Sequence, residues 1–155
     1  MKNILVLGAG LVSRPGVHYL LGYEDFRITV ASLQKAEALV KGYENGIAIS
    51  LDINNTPKLV KLIKDNDIVI SLLPWTHHVK VAEHCLAQNT HMVTSSYVSK
   101  EMKAFDSEAK NKGLLFLNEI GVDPGIDHMS AMKIIDQVHS EGGKILHFYS
   151  YCGGL

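Results

Sequence analysis

The sequence predicts an α/β fold built on a doubly wound parallel sheet, and three observations carry that expectation. Apolar runs of strand length alternate with helix-length segments along most of the 155 residues, a pattern that calls for parallel strands joined by right-handed crossovers. Two of the runs, Ile4 to Leu7 and Asp67 to Leu73, are almost continuously Val, Ile and Leu, as strands buried on both faces are. The first run ends directly in Gly8-Ala9-Gly10, a glycine turn leading from a strand into a helix.

Taken in order, Ile4 to Leu7 is the first strand, and a helix-length stretch follows the glycines to about Leu21, with Pro15 in its first turn. Arg27 to Ala31 reads as the second strand and Gln34 to Tyr43 as its helix. Gly46 to Leu51 is the third strand, and Pro57 opens a helix over Thr56 to Lys64. Asp67 to Leu73 is ended by Pro74, which has no N–H with which to continue a ladder. His91 to Thr94 and Leu114 to Leu117 are two further strands, separated by the polar, helical Lys100 to Lys112. Gly121-Val122-Asp123-Pro124-Gly125 is the strongest turn signal in the chain. After it, Asp127 is placed to cap a helix to about Ser140, with Met129, Met132, Ile135 and Val138 near helical spacing. Glu141-Gly142-Gly143 stops that helix, and Lys144 to Tyr151 reads as a final strand.

Composition narrows the functions. Fifteen Lys and Arg face 16 Asp and Glu, a formal charge of −1, so no basic face is expected for nucleic acid or an anionic membrane surface. The longest charge-free apolar stretch, Ile68 to Trp75, is too short to span a bilayer. The N-terminus lacks the apolar run and cleavage site of a leader, so the expected location is the cytoplasm. Cys85 and Cys152 form neither a disulfide framework nor a metal motif, and Cys85 reads as core. Among the histidines, His77 and His84 would lie two helical turns apart, about 10 Å, which is too far to share an ion; no metal is expected.

Chemistry concentrates at strand ends. Gly8 permits the tight turn and Gly10 a close approach of backbone to a pyrophosphate. Leu11 and Val12 then lead into a helix whose free N–H groups and dipole favour that anion. The third position of the fingerprint holds Ser13 instead of Gly or Ala. This is the cofactor end of a Rossmann-type domain. After the second strand, an NAD site would place a carboxylate on the ribose 2′-hydroxyl. Ser32 stands there, with no carboxylate before Glu37, and a hydroxyl beside the Lys35 ammonium favours a 2′-phosphate, hence NADP. Asp52 either contacts the adenine or caps a turn. Leu73, closing the fourth strand, is counted with the cofactor site, and Trp75 is either a nicotinamide wall or packing. Ser95-Ser96-Tyr97 and Asp123-Pro124-Gly125 each read as a local cap or turn, or as part of a substrate site.

Several blocks are more specific than a generic dinucleotide pattern. Gly8-Ala9-Gly10-Leu11-Val12-Ser13-Arg14-Pro15, Ile70-Ser71-Leu72-Leu73-Pro74-Trp75, Val93-Thr94-Ser95-Ser96-Tyr97-Val98, Asn118 to His128 and Ser150-Tyr151-Cys152-Gly153-Gly154-Leu155 occur in that order. Together they resemble saccharopine dehydrogenase of the NADP-dependent, L-glutamate-forming type, over the whole chain. The resemblance implies a split architecture. Residues 1–124 would be an NADP-binding Rossmann domain, and 125–155 the first helix and strand of an incomplete substrate and dimerisation domain.

The family reaction is oxidative cleavage of saccharopine's secondary amine to glutamate and 2-aminoadipate 6-semialdehyde, or its reverse. Ser96, Tyr97 and Asp123 match substrate-contacting positions, and Asp123 and Tyr97 are the acid/base candidates. Only Arg14 and Arg27 are available to bind substrate carboxylates, so the active site is expected to be incomplete in this chain. The alternatives are a dinucleotide-binding module without catalysis, or a polyamine-synthesising relative of the carboxynorspermidine or homospermidine type. The Thr94–Tyr97 and Asp123–His128 blocks favour the lysine-metabolism reading. Apolar faces after Asp127 without a domain to cover them predict self-association, a homo-oligomer.

Overall fold

The structure, a computed structural model, describes residues 1–153. Six parallel strands form one sheet in the order β3-β2-β1-β4-β5-β6. They are β1 (Lys2–Leu7), β2 (Phe26–Ser32), β3 (Gly46–Ser50), β4 (Ile68–Ser71), β5 (His91–Thr94) and β6 (Phe116–Leu117). The helices are α1 (Ser13–Leu21), α2 (Ala36–Val40), α3 (Thr56–Lys64), α4 (His78–Gln88), α5 (Lys100–Ala104), α6 (Asp106–Asn111) and α7 (Ile126–Ser140). The strand order reverses between β1 and β4, which is where a doubly wound sheet opens a crevice at the carboxyl ends of its strands.

Side-chain alternation explains why β1 is apolar throughout. Leu5 and Leu7 point into a core with Leu59, Ile63, Val81 and Met92, under α3, α4 and α5. Ile4 and Val6 point the other way, against Val17, Leu21, Ile28 and Leu39 under α1 and α2. Cys85 belongs to the first core, and burial pushes its thiol up to about 12. On the second face Ile68, Ile70 and Leu72 are only half-buried, which leaves an apolar trough beside α1.

Three expectations are corrected. The segment Lys100 to Lys112 is two helices: Met102 and Phe105 both turn toward the core, and the Phe105 N–H tightens onto the Met102 carbonyl at 3.2 Å, breaking the run. Residues 144–151 form no strand. They are exposed, and no described residue offers them a ladder partner, without which extended backbone gains nothing over hydrated chain. Asp127 is not the N-cap of α7. Gly125 holds that position, and the Asp127 carboxylate accepts from the Gly125 N–H at 2.9 Å. Gly125 is obligatory here, since its φ is +152° and a Cβ would collide with Gly121 backbone. Among the described residues, no helix is long and apolar enough to cross a membrane.

Candidate active site

The β1–α1 turn is built for an anion. Gly8 has φ +106°, and a Cβ there would lie 2.9 Å from the Leu72 carbonyl oxygen, so the turn packs directly on the Leu72–Leu73 backbone. Gly10 faces open space, with nothing within 4 Å of where its Cβ would be. Ser13 explains its own departure from the fingerprint: it is buried, and its hydroxyl donates to the Gly10 carbonyl at 2.7 Å, tying the loop from within. Val12 occupies the N-cap and offers no side-chain acceptor; the Ser13 N–H bonds the Gly10 carbonyl at 3.3 Å and Pro15 has none, so the Arg14 N–H is the first-turn donor turned to a ligand. Leu11, 95% exposed, and Val12 stand at the lip. These features fit a dinucleotide pyrophosphate.

Further along the same edge, Ser32 and Lys35 line a cleft of about 360 Å³ that runs to Ala48 and Ser50. Lys35 sits at the start of α2 with φ +67° and an exposed side chain. Asp52 does not line that cleft. Its carboxylate accepts from the Asn54 N–H at 2.9 Å, closing the turn after β3. Leu73 is half-buried against the α3–α4 core, so it meets the glycine turn through its backbone.

Across the crevice, the loops after β5 and β6 bring the other candidates together. The Tyr97 hydroxyl donates to Asp123 Oδ1 at 2.6 Å, although the two are 26 positions apart. That bond raises the phenol to about 12, with desolvation and the Asp123 charge adding to it. Tyr97 is therefore a proton donor to Asp123 throughout the neutral range. Spectrophotometric titration should find one of the six tyrosines ionising near pH 12, and Asp123→Asn should return it toward 10. Because the folded pKa is the higher one, stability from this pair is whole below pH 10 and lost as pH rises through about 12.

Tyr97 and Asp123 share two openings. One, of about 450 Å³, is walled by Trp75, which is 73% exposed, Ser96 and Pro124. The other, of about 800 Å³, is the apolar trough over Ile70 and Leu72, closed at one end by Cys152. The neighbouring Asp123 carboxylate, with desolvation adding to it, raises the Cys152 thiol, whose hydrogen bond goes to the Gly153 carbonyl at 3.8 Å. Asp127 pairs with His128 Nδ1 at 2.7 Å. Desolvation pushes the carboxyl up, but the bonds from His128 and the Gly125 N–H outweigh it and hold it low. Ser99, not Ser95 or Ser96, caps α5, accepting from the Met102 N–H at 3.1 Å.

The sequence reading missed Cys152, and it missed His78, which is buried behind Ser96. For Cys152 the only signal was its presence; its neighbour Asp123 lies on a distant loop. His78 was one histidine in a run of polar residues, and its partners come from three separate segments.

A parallel sheet with a glycine turn, an uncapped first helix and an open carboxyl edge defines a Rossmann-type dinucleotide-binding domain. The chain belongs to the saccharopine dehydrogenase family: residues 4–117 match the saccharopine dehydrogenase NADP binding domain, and residues 121–155 match the saccharopine dehydrogenase C-terminal domain. NADP is the dinucleotide of this edge. A Schizosaccharomyces pombe saccharopine dehydrogenase [NADP(+), L-glutamate-forming] is 45% identical over 100% of this chain and 35% of its own length. An alpha-aminoadipic semialdehyde synthase of Arabidopsis thaliana is 38% identical over 99% of this chain and 16% of its own. The solved apo saccharopine dehydrogenase (L-Glu forming) of Saccharomyces cerevisiae has a TM-score of 0.82 at 42% identity, over 92% of this chain and 32% of that one. This chain thus spans about a third of the length of its fungal relatives.

Proposed function

We propose that the chain serves as the cofactor half, with part of the substrate site, of an NADP-dependent oxidoreductase of lysine metabolism acting on the secondary amine of saccharopine. The observation that carries this reading is the Tyr97–Asp123 pair, facing the carboxyl edge of the sheet opposite the glycine turn. Bound NADP supplies the hydride acceptor. Loss of hydride from the carbon and a proton from the nitrogen gives an imine. Water then adds and the C–N bond breaks, releasing glutamate as the amine and 2-aminoadipate 6-semialdehyde. Asp123 takes and returns the protons, Tyr97 holds its carboxylate in place, and Ser96 bonds the substrate's polar groups. The division into 1–124 and 125–155 follows this reading.

Assay of NADPH formation from saccharopine and NADP tests it. Turnover that disappears with Asp123 supports the enzyme; NADPH binding with no turnover supports the second reading, a dinucleotide-binding module. Cofactor choice has its own test. Lys35→Ala should weaken NADPH binding by about tenfold, the ratio one charge-assisted contact commands, and leave NADH affinity unchanged.

The C-terminal segment supports self-association. No residue of α7 is buried, and Ile126, Met129, Met132 and Ile134 are all exposed. Sedimentation velocity at increasing concentration should show a dimer or larger species; a monomer throughout would count against the homo-oligomer.

A further inference from the structure

His78 is 3% exposed, beneath the carboxyl ends of β4 and β5. Its Nδ1 meets Ser71 Oγ at 3.0 Å, while its Nε2 meets Ser96 Oγ at 2.8 Å and Thr94 Oγ1 at 3.2 Å. Ser71 ends β4, Thr94 ends β5, and Ser96 lies on the loop lining the Trp75–Asp123 cleft. That loop is also held by the Glu119 N–H on the Ser96 carbonyl at 3.1 Å, the Val98 N–H on Glu119 Oε1 at 3.1 Å, the Ser96 N–H on Thr94 Oγ1 at 3.4 Å and the Tyr97 hydroxyl on Asp123. Burial, with His77 adding to it, pushes the ring's pKa down, which keeps it neutral.

We propose that His78 is the positioning residue for Ser96: the buried ring fixes the Ser96 hydroxyl, and through it the Ser95–Val98 turn, so that Ser96 and Tyr97 meet an amino-acid substrate together. The inference rests on reading that cleft as the substrate site. A neutral imidazole has a donor and an acceptor on opposite sides, and each hydroxyl can turn to complement it. Each ring nitrogen makes one full hydrogen bond, so in either tautomer Nδ1 holds Ser71 and Nε2 holds Ser96, with Thr94 at 3.2 Å the weaker second partner of Nε2. Burying so polar a group is costly where a leucine would pack, but a satisfied network specifies one arrangement where apolar contacts tolerate several. Ser71 and Thr94 are fully buried, whereas Ser96 is half-exposed. Ser96 alone of the three can turn its remaining bonds outward, to a carboxylate or an amine.

The two ring nitrogens can be separated by substitution. The amide of Asn reaches about as far as Nδ1 and keeps Ser71; that of Gln reaches about as far as Nε2 and keeps Ser96. Amide hydrogen exchange in the free protein and calorimetric binding of saccharopine with NADPH present are the readouts. His78→Asn should speed exchange at Ser96 and Val98 by about tenfold and weaken saccharopine by about as much, the ratio one hydrogen bond commands. His78→Gln should restore both, with β1 and β2 amides unchanged in either variant. Ser96→Ala should match His78→Asn in saccharopine affinity, and the double variant should lose no more than either alone. Unchanged loop exchange in His78→Asn overturns the proposal, as does an equal rise in both variants that extends to β1 and β2. If the unaltered protein binds no saccharopine, the substrate reading fails, and loop exchange still decides whether His78 holds Ser96.

Discussion

Gly8→Ala should lower the melting temperature by roughly 10 °C and abolish measurable NADPH binding. Two costs combine at this position: a φ of +106° that an L-residue rarely adopts, and a methyl group 2.9 Å from the Leu72 carbonyl oxygen. Strain and overpacking of this kind together cost about 3 kcal/mol, and a chain of this size loses about 2–4 °C per kcal/mol. The neighbouring backbone cannot yield easily, because the Gly8 N–H is bonded to Ala31 and the Leu72 N–H to Leu7, both strand to strand. Gly10→Ala is the contrast. Its methyl would enter open space, so the melting temperature should hold while NADPH affinity falls. Calorimetry and cofactor titration on the two variants separate a structural glycine from one kept for the ligand's approach.

The second large effect is at Asp123. Asp123→Asn keeps the shape of the loop and an acceptor for the Tyr97 hydroxyl, but removes the charge and the proton capacity. On the proposed function, turnover of saccharopine should fall by about a hundredfold or more, the scale of a lost general acid/base, while the NADPH dissociation constant stays within a factor of about two. The Cys152 thiol, now held up by Asp123, should react faster with a thiol reagent at mildly alkaline pH. Loss of NADPH affinity in parallel with turnover would make Asp123 a structural residue of the crevice instead.

The sheet was legible in the sequence because its signals are local. The Thr56–Lys64 helix and the His91–Thr94 strand appear with the predicted bounds, since Asn55 caps the one, accepting from the Lys58 N–H at 3.2 Å, and the other is a short apolar run between polar turns. The glycine turn was legible for the same reason, its conformation being written in two residues. What stayed hidden depends on partners far along the chain. Lys144 to Tyr151 has strand composition, yet composition cannot supply a neighbour to pair with. Asp52 carries the same carboxylate whether it serves an adenine or a turn, and only the Asn54 N–H decides. The Tyr97–Asp123 bond, the Cys152 contact and the His78 network each join segments that periodicity does not connect.

Titration of the chain with NADPH and with NADH, following thermal stability, bears most directly on the cofactor edge. At a hundred times its dissociation constant a ligand adds about 2.7 kcal/mol, about 8 °C for a chain of this size. NADPH should give that rise and an equal concentration of NADH a much smaller one. No shift with either, or equal shifts with both, would contradict an NADP site built on Gly8, Gly10, Ser32 and Lys35.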